Sequence, residues 1–325
     1  MAETALPADP PDAAACRALQ DAVDADRVSL SSQLDPAARR RLGQFMTPAA
    51  VARFMASLFD HDRASVRLLE AGAGMGSLLA AYVDAACAAP PRPGRSLHVT
   101  AVELEPVLAR RLRITLNDCA ARCEAVGIAF GSTLVEQDFI DHAVAVATHN
   151  GTIDEHRLAQ FDAAILNPPY SKIRVDSPHR RRLRQLGIES TNLYSAFVAV
   201  AIRMLRPDGE LVAITPRSFC NGPYFRPFRQ ALVSQMSLRR LHIYESRDEA
   251  FSDDRVLQEN VILHAIRNTS PPATVRLTRS DSATHADLSV RDVPYSQVVR
   301  PHDPDAFIHI AACDSDDAAT EKVLR

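Results

Sequence analysis

The sequence predicts an α/β fold: a mostly parallel sheet covered by helices on both faces. Three observations carry this. Short apolar runs of strand length alternate with longer segments of helical periodicity. Glycine or proline punctuates most of the junctions between them. The chain has 325 residues, 46% of them hydrophobic, which is enough for a substantial core and sets disorder aside.

In order, residues 1–40 read as a loose N-terminal arm containing one helix. Met1 to Pro11 is acidic and Pro/Ala-rich with no apolar segment, so neither a signal peptide nor a membrane anchor is expected. Asp35-Pro36 and Thr47-Pro48 each offer an N-cap followed by a first-turn proline. Val51, Phe54, Met55 and Leu58 then share one helical stripe. Val66 to Glu70 is the first strand, followed by a glycine turn and a helix to about Ala88. Leu97 to Glu103 is the next strand, and Pro106 starts an amphipathic helix that stops near Gly127. Phe161 to Leu166 is a strand, Leu193 to Leu205 a helix, and Pro207-Asp208-Gly209 turns into the strand Glu210 to Thr215. Leu238 to Tyr244 and Asn260 to Ile266 have no helix between them and should form an antiparallel edge pair. Beyond Arg267 the pattern weakens into polar residues, so a domain over 41–267 is expected, with a further region beginning at 268–325.

The net charge of -3 gives no global attraction to a polyanion, so a nucleic acid must meet a local patch. Lys172, Arg174, His179, Arg180, Arg181, Arg182 and Arg184 form the candidate, with Arg217, Arg226 and Arg229 extending it. A solvated face carries such a run equally well. If the patch contacts phosphates, binding should depend steeply on salt, and neutralising Arg180 to Arg182 should flatten that dependence. The six cysteines include no Cys-x-x-Cys pair and no histidine cluster, so no metal is expected and reduced thiols of a cytoplasmic protein fit.

Two features carry chemistry. The first is the turn Ala71-Gly72-Ala73-Gly74-Met75-Gly76 after the strand ending at Glu70. Its glycines fall at every second position, unlike the Gly-x-Gly-x-x-Gly of dinucleotide sites. A carboxylate at Glu70 would repel a pyrophosphate, but suits a ligand with an ammonium and a sulfonium, such as S-adenosylmethionine. Glu103, at the next strand end, can accept from ribose hydroxyls. Asp138 can take an adenine amino group and Phe139 can pack on its ring, although an ordinary loop aspartate explains Asp138 as well. The second feature is Asn167-Pro168-Pro169-Tyr170, directly after an apolar strand. The prolines end the strand and turn the chain out at the carboxyl edge, where open α/β sheets bind ligands.

These motifs resemble those of the gamma-class adenine-specific DNA methyltransferases of bacterial restriction–modification systems, the TaqI and PstI type. The order agrees: Gly43 to Pro48, the glycine turn, Glu103, Asp138 and the tetrapeptide, then Asn192 to Phe197 and Thr215 to Gly222. The resemblance covers residues 40–267. It implies a Rossmann-like S-adenosylmethionine-dependent methyltransferase fold with a seven-stranded sheet. It also implies cofactor contacts from Phe45, Thr47, Glu70, Gly72, Gly74, Gly76, Glu103, Leu104, Asp138, Phe139 and Asn167. The Asn167 side-chain oxygen and the Pro168 carbonyl would hold the 6-amino hydrogens of an adenine flipped from duplex DNA. Tyr170, and Phe251 as in the family, would pack on that base, with Pro169 completing the tetrapeptide. Relatives carry a sizeable target-recognition region after the catalytic domain, so a missing C-terminal half or a separate recognition subunit is expected. An RNA or protein-glutamine methyltransferase uses the same tetrapeptide, and a non-catalytic DNA-binding subunit keeps the same fold.

Overall fold

A computed structural model describes residues 13–33, 47–158, 160–244, 260–268, 270–280 and 288–310. The first half contains α1 (Ala13–Gln33), α2 (Ala49–Ala56), β1 (Ser65–Ala71), α3 (Ser77–Ala88), β2 (Ser96–Val102), α4 (Pro106–Glu124), β3 (Ala129–Val135) and α5 (Phe139–Ala147). The second half contains β4 (Phe161–Leu166), α6 (Pro178–Gln185), α7 (Leu193–Met204), β5 (Leu205–Pro216), α8 (Arg226–Gln235), β6 (Ser237–Tyr244), β7 (Asn260–Ile266), β8 (Thr274–Ser280) and β9 (Ser289–Pro294).

These strands form one sheet in the order β9-β8-β6-β7-β5-β4-β1-β2-β3. The run from β3 through β2, β1 and β4 to β5 is parallel. β7 is antiparallel to both β5 and β6, so the helix-free pair is antiparallel as expected, but it is not the edge of the sheet, because β8 and β9 lie outside β6. Successive side chains of each buried strand serve opposite faces. Leu68, Ile165 and Ile214 join a core under α1 to α4, whereas Leu69, Leu166 and Ala213 join one under α5, α7 and α8.

The sheet has nine strands rather than the expected seven. β8 runs parallel to β6, and β9 antiparallel to β8. Both lie in the polar stretch after Arg267, so the boundary expected there falls inside the sheet. The apolar signal is weak because β9 is an edge strand with Val290 exposed, steadied across the pair by Arg276 bonded to Asp292 at 2.8 and 3.0 Å. The half-exposed edge strand β3 gave the same faint signal for the same reason.

The N-terminal helix is present but not loose. Leu19 and Val23 enter the core, the Gln20 amide donates to Asp84 Oδ2 at 3.2 Å, and the Ala49 amide donates to Asp24 Oδ1 at 3.1 Å. Two of the scattered cysteines also lie close: Cys87 on α3 neighbours Cys123 on α4, and Cys87 Sγ donates to Arg122 O at 3.8 Å.

Of Arg217, Arg226 and Arg229, Arg229 does not extend a basic surface, while the exposed Arg226 pairs with Asp305 at 3.3 Å. Arg229 is fully buried, and its guanidinium donates to the carbonyls of Phe219 at 3.0 Å, Gly222 at 2.7 Å and Asp305 at 2.8 Å. The Phe307 ring lies 4.7 Å from it. Arg226 donates to Pro304 O and Arg217 to Ile310 O. Together these arginines clasp residues 303–310 against the loop after β5.

Candidate active site

β1 delivers Glu70 to the carboxyl edge, and the chain turns through Gly72, Gly74 and Gly76, all at positive φ. At Gly76 a Cβ would lie 2.9 Å from both Leu112 and Thr115 of α4, so this glycine lets the two helices approach. Thr115 Oγ1 donates to Met75 O at 2.7 Å and fixes the turn from behind. Gly72 and Gly74 face a pocket of about 250 Å³ at the carboxyl ends of β1, β2 and β4, whereas Gly76 does not line it.

Of the predicted cofactor residues, the pocket brings together Thr47, Glu70, Gly72, Gly74, Glu103, Leu104, Asp138, Phe139 and Asn167. Phe45 lies outside the described residues. Glu70 is 1% exposed and accepts from the Leu79 amide, but its Oε2 has no partner among the described residues. Burial, and then the neighbouring Glu103 charge, push its pKa well above the usual carboxylate range. A buried acidic oxygen left in this state fits a cationic group lodged beside it. The residues present therefore fit the ammonium and sulfonium of S-adenosylmethionine.

Glu103 is satisfied differently. Its Oε2 accepts from the Gly74 amide and its Oε1 from the Glu105 amide, each at 2.7 Å. Burial still raises its pKa, against the pull of those amides. Asp138 caps α5, with Oδ1 accepting from Ile140 at 2.8 Å and Asp141 at 3.0 Å. Its Oδ2 lies 3.0 Å from His179 Nε2. Burial alone would raise the Asp138 pKa, but the His179 bond and the amides outweigh it and hold the pKa below the usual value. The same bond raises that of His179, more than burial lowers it. His179 lines the pocket; the sequence places it only within a basic run. Phe139 meets Phe197 of α7 with ring centroids 5.0 Å apart.

The tetrapeptide leaves β4 at the same edge. Asn167 Nδ2 donates to Thr47 Oγ1 at 2.9 Å, and the Tyr170 hydroxyl donates to Asn167 Oδ1 at 3.3 Å. Pro168 is buried, and Pro169 lines the pocket. Tyr194 of α7 stands edge-on to Tyr170 at 6.2 Å and is itself held by Ser218 at 3.0 Å and by the Phe225 ring. Tyr194 was legible only as part of the Asn192 to Phe197 match. Phe251 lies outside the described residues; the flanking strand ends, Tyr244 and Asn260, both meet this carboxyl edge.

The basic run is not an open loop. Ser177 caps α6, and its arginines find partners: Arg180 pairs with Glu189 at 2.7 Å and also bonds Ser190 O. Arg182 pairs with Asp141 at 2.7 Å and Arg184 with Glu189 at 3.3 Å. Lys172 and Arg181 are exposed, and Arg181 donates to a carbonyl at Asp176 rather than to a carboxylate. Among the described residues no His/Cys/Asp/Glu group is placed to hold a metal, and no helix is long and apolar enough to cross a membrane.

Residues 122–251 match the model of the Eco57I restriction-modification methylase family. The chain is 40% identical over 288 residues to type II methyltransferase M.PstI of Providencia stuartii, spanning 89% of this chain and 55% of that protein. It is 38% identical over 294 residues to type II methyltransferase M.BsuBI of Bacillus subtilis, spanning 89% of this chain and 56% of the relative. The chain thus spans about half the length of the curated relatives it matches. Its fold is shared with a solved protein of Listeria monocytogenes assigned to the class I S-adenosylmethionine-dependent methyltransferases, at a TM-score of 0.55 and 16% identity over 74% of this chain and 67% of that one.

Proposed function

Because the chain is a relative of the restriction–modification methylases, we propose that it transfers a methyl group from S-adenosylmethionine to the 6-amino group of adenine in double-stranded DNA, as the modification partner of a restriction system. The observation that carries this is the shared pocket wall: an unpartnered carboxylate oxygen of Glu70 and the oriented amide of Asn167 face one cavity.

When bound, the cofactor supplies an electrophilic methyl group. Glu70 would take the cationic end of that ligand, Glu103 the ribose, and Asp138 with Phe139 the adenine. The target amino nitrogen is a poor nucleophile, because its lone pair is delocalised into the ring. Asn167 Oδ1 and the Pro168 carbonyl would accept its two hydrogens and turn the lone pair toward the pocket. A stacked base cannot reach this edge, so the adenine must leave the duplex, and Tyr170 offers the ring on which it packs. Lys172, Arg174 and Arg181 are exposed cations on the segment that follows the tetrapeptide, and they supply phosphate contacts. The target sequence is left to residues beyond those described or to a separate subunit.

The deciding experiment incubates the chain with methyl-labelled S-adenosylmethionine and unmethylated genomic DNA, with total RNA and protein as parallel acceptors. The expected product is 6-methyladenine in DNA. Label in RNA or in glutamine side chains instead would replace the DNA reading.

A further inference from the structure

Thr47 sits where the pocket meets the tetrapeptide, and it is 5% exposed. Its sequence context, just before a helix, suggests a cap, but the cap position belongs to Pro48 and no side chain caps α2. Instead Thr47 Oγ1 accepts from Asn167 Nδ2 at 2.9 Å, across 120 residues of chain. On the other side of the same amide, the Tyr170 hydroxyl donates to Oδ1. A primary amide keeps nearly the same shape when turned over, yet turning it exchanges the acceptor for two donors. Only the oxygen can accept a hydrogen from an amino group. With Nδ2 held at Thr47, Oδ1 is turned to the Tyr170 side, where the base is read to pack.

We infer that Thr47 is a positioning residue: by accepting from Asn167 Nδ2 it holds the side-chain oxygen toward the amino group that is methylated. The inference rests on the functional reading above. It gives Thr47 a role other than cofactor contact, although Thr47 lines the cofactor side of the pocket.

The test compares Thr47→Val, which keeps the shape and removes the hydroxyl, with Thr47→Ser, which restores it. Three readouts are taken on the full chain: turnover on unmethylated genomic DNA, calorimetric affinity for S-adenosylmethionine, and hydrogen exchange of the Asn167 side-chain amide by NMR. The amide signal is assigned by its loss in Asn167→Asp. Thr47→Val should lower kcat about 10²-fold, change cofactor affinity by less than about tenfold, and speed the amide exchange. Thr47→Ser should recover most of all three. A loss of cofactor affinity with kcat intact would overturn the inference, as would unchanged amide exchange in Thr47→Val. If the unaltered chain methylates no DNA, the functional reading fails, while the exchange rates still decide whether Thr47 holds the amide.

Discussion

The pocket wall and helix α6 lie at the same edge of the sheet, but their charges are in opposite states. In the wall, Glu70 is buried with one oxygen lacking a partner. On α6, three arginines are already matched, Arg180 and Arg184 by Glu189 and Arg182 by Asp141. A count of charges would rank α6, with its run of arginines, at least level with the wall and its acids Glu70, Glu103 and Asp138. Unmet bonding capacity ranks the wall first, since a surface pair adds little and a buried unpaired oxygen calls for a partner.

The largest effect should come from the tetrapeptide residue on the pocket wall. Asn167→Ala is expected to lower methyl transfer about 10³-fold or more while cofactor affinity, read by calorimetry, stays within about threefold. Turnover surviving that change would move the chemistry elsewhere in the pocket.

Next, Glu70→Gln should weaken S-adenosylmethionine binding about 30- to 100-fold, the usual range for a lost charge-assisted contact. The two proton linkages differ in sign. Burial raises the Glu70 pKa in the ligand-free fold, so the carboxyl binds its proton more tightly folded than unfolded. Its stabilising contribution is therefore present while it is protonated and is lost as pH rises through the raised value. Cofactor affinity should move oppositely, rising with pH as the carboxylate forms. Melting and calorimetry across pH should show both trends in the unaltered chain and neither at this site in Glu70→Gln.

Arg229→Ala tests a buried charge that is held, through Nε and Nη1, by three carbonyls. It removes the donor to three carbonyls and should lower stability by about 2 kcal/mol in denaturant unfolding. An unchanged midpoint would mean that the clasp contributes nothing. The smallest effect is reserved for the surface. Neutralising Lys172 and Arg181 together should reduce the slope of DNA binding against salt by about two, whereas neutralising Arg182 and Arg184 should change it by less than one. Equal slopes for the two variants would erase the distinction between free and matched cations.

The comparison also explains what could be read from the sequence. The central strands were legible because they are buried on both faces, so Leu68 to Glu70 and Ala164 to Leu166 form unbroken runs ending at glycine or proline. Glu70 and Asn167 were legible because topology alone places a residue just after such a strand at the ligand edge. The edge strands β3 and β9, and β8 next to the edge, were not, since a partly exposed strand tolerates Ser, Thr and Arg on its open face. The fate of each arginine was illegible as well. Glu189 and Asp141 reach α6 from a following loop and from another helix, and the carbonyls around Arg229 come from segments far apart in the chain. Pairing of this kind is a tertiary property with no local spacing to reveal it.

The clasp on residues 303–307 bears on how the chain can be divided and recombined. A cut after Arg267, where the residue pattern fades, would strip β8 and β9 from the sheet and leave the Arg229 guanidinium inside an apolar wall without the Asp305 carbonyl or the Phe307 ring. A swap of the segments that follow, whether by recombination or by design, is expected to succeed only with its junction beyond Ile310. The sheet and its clasp reach about forty residues past the place where the composition changes.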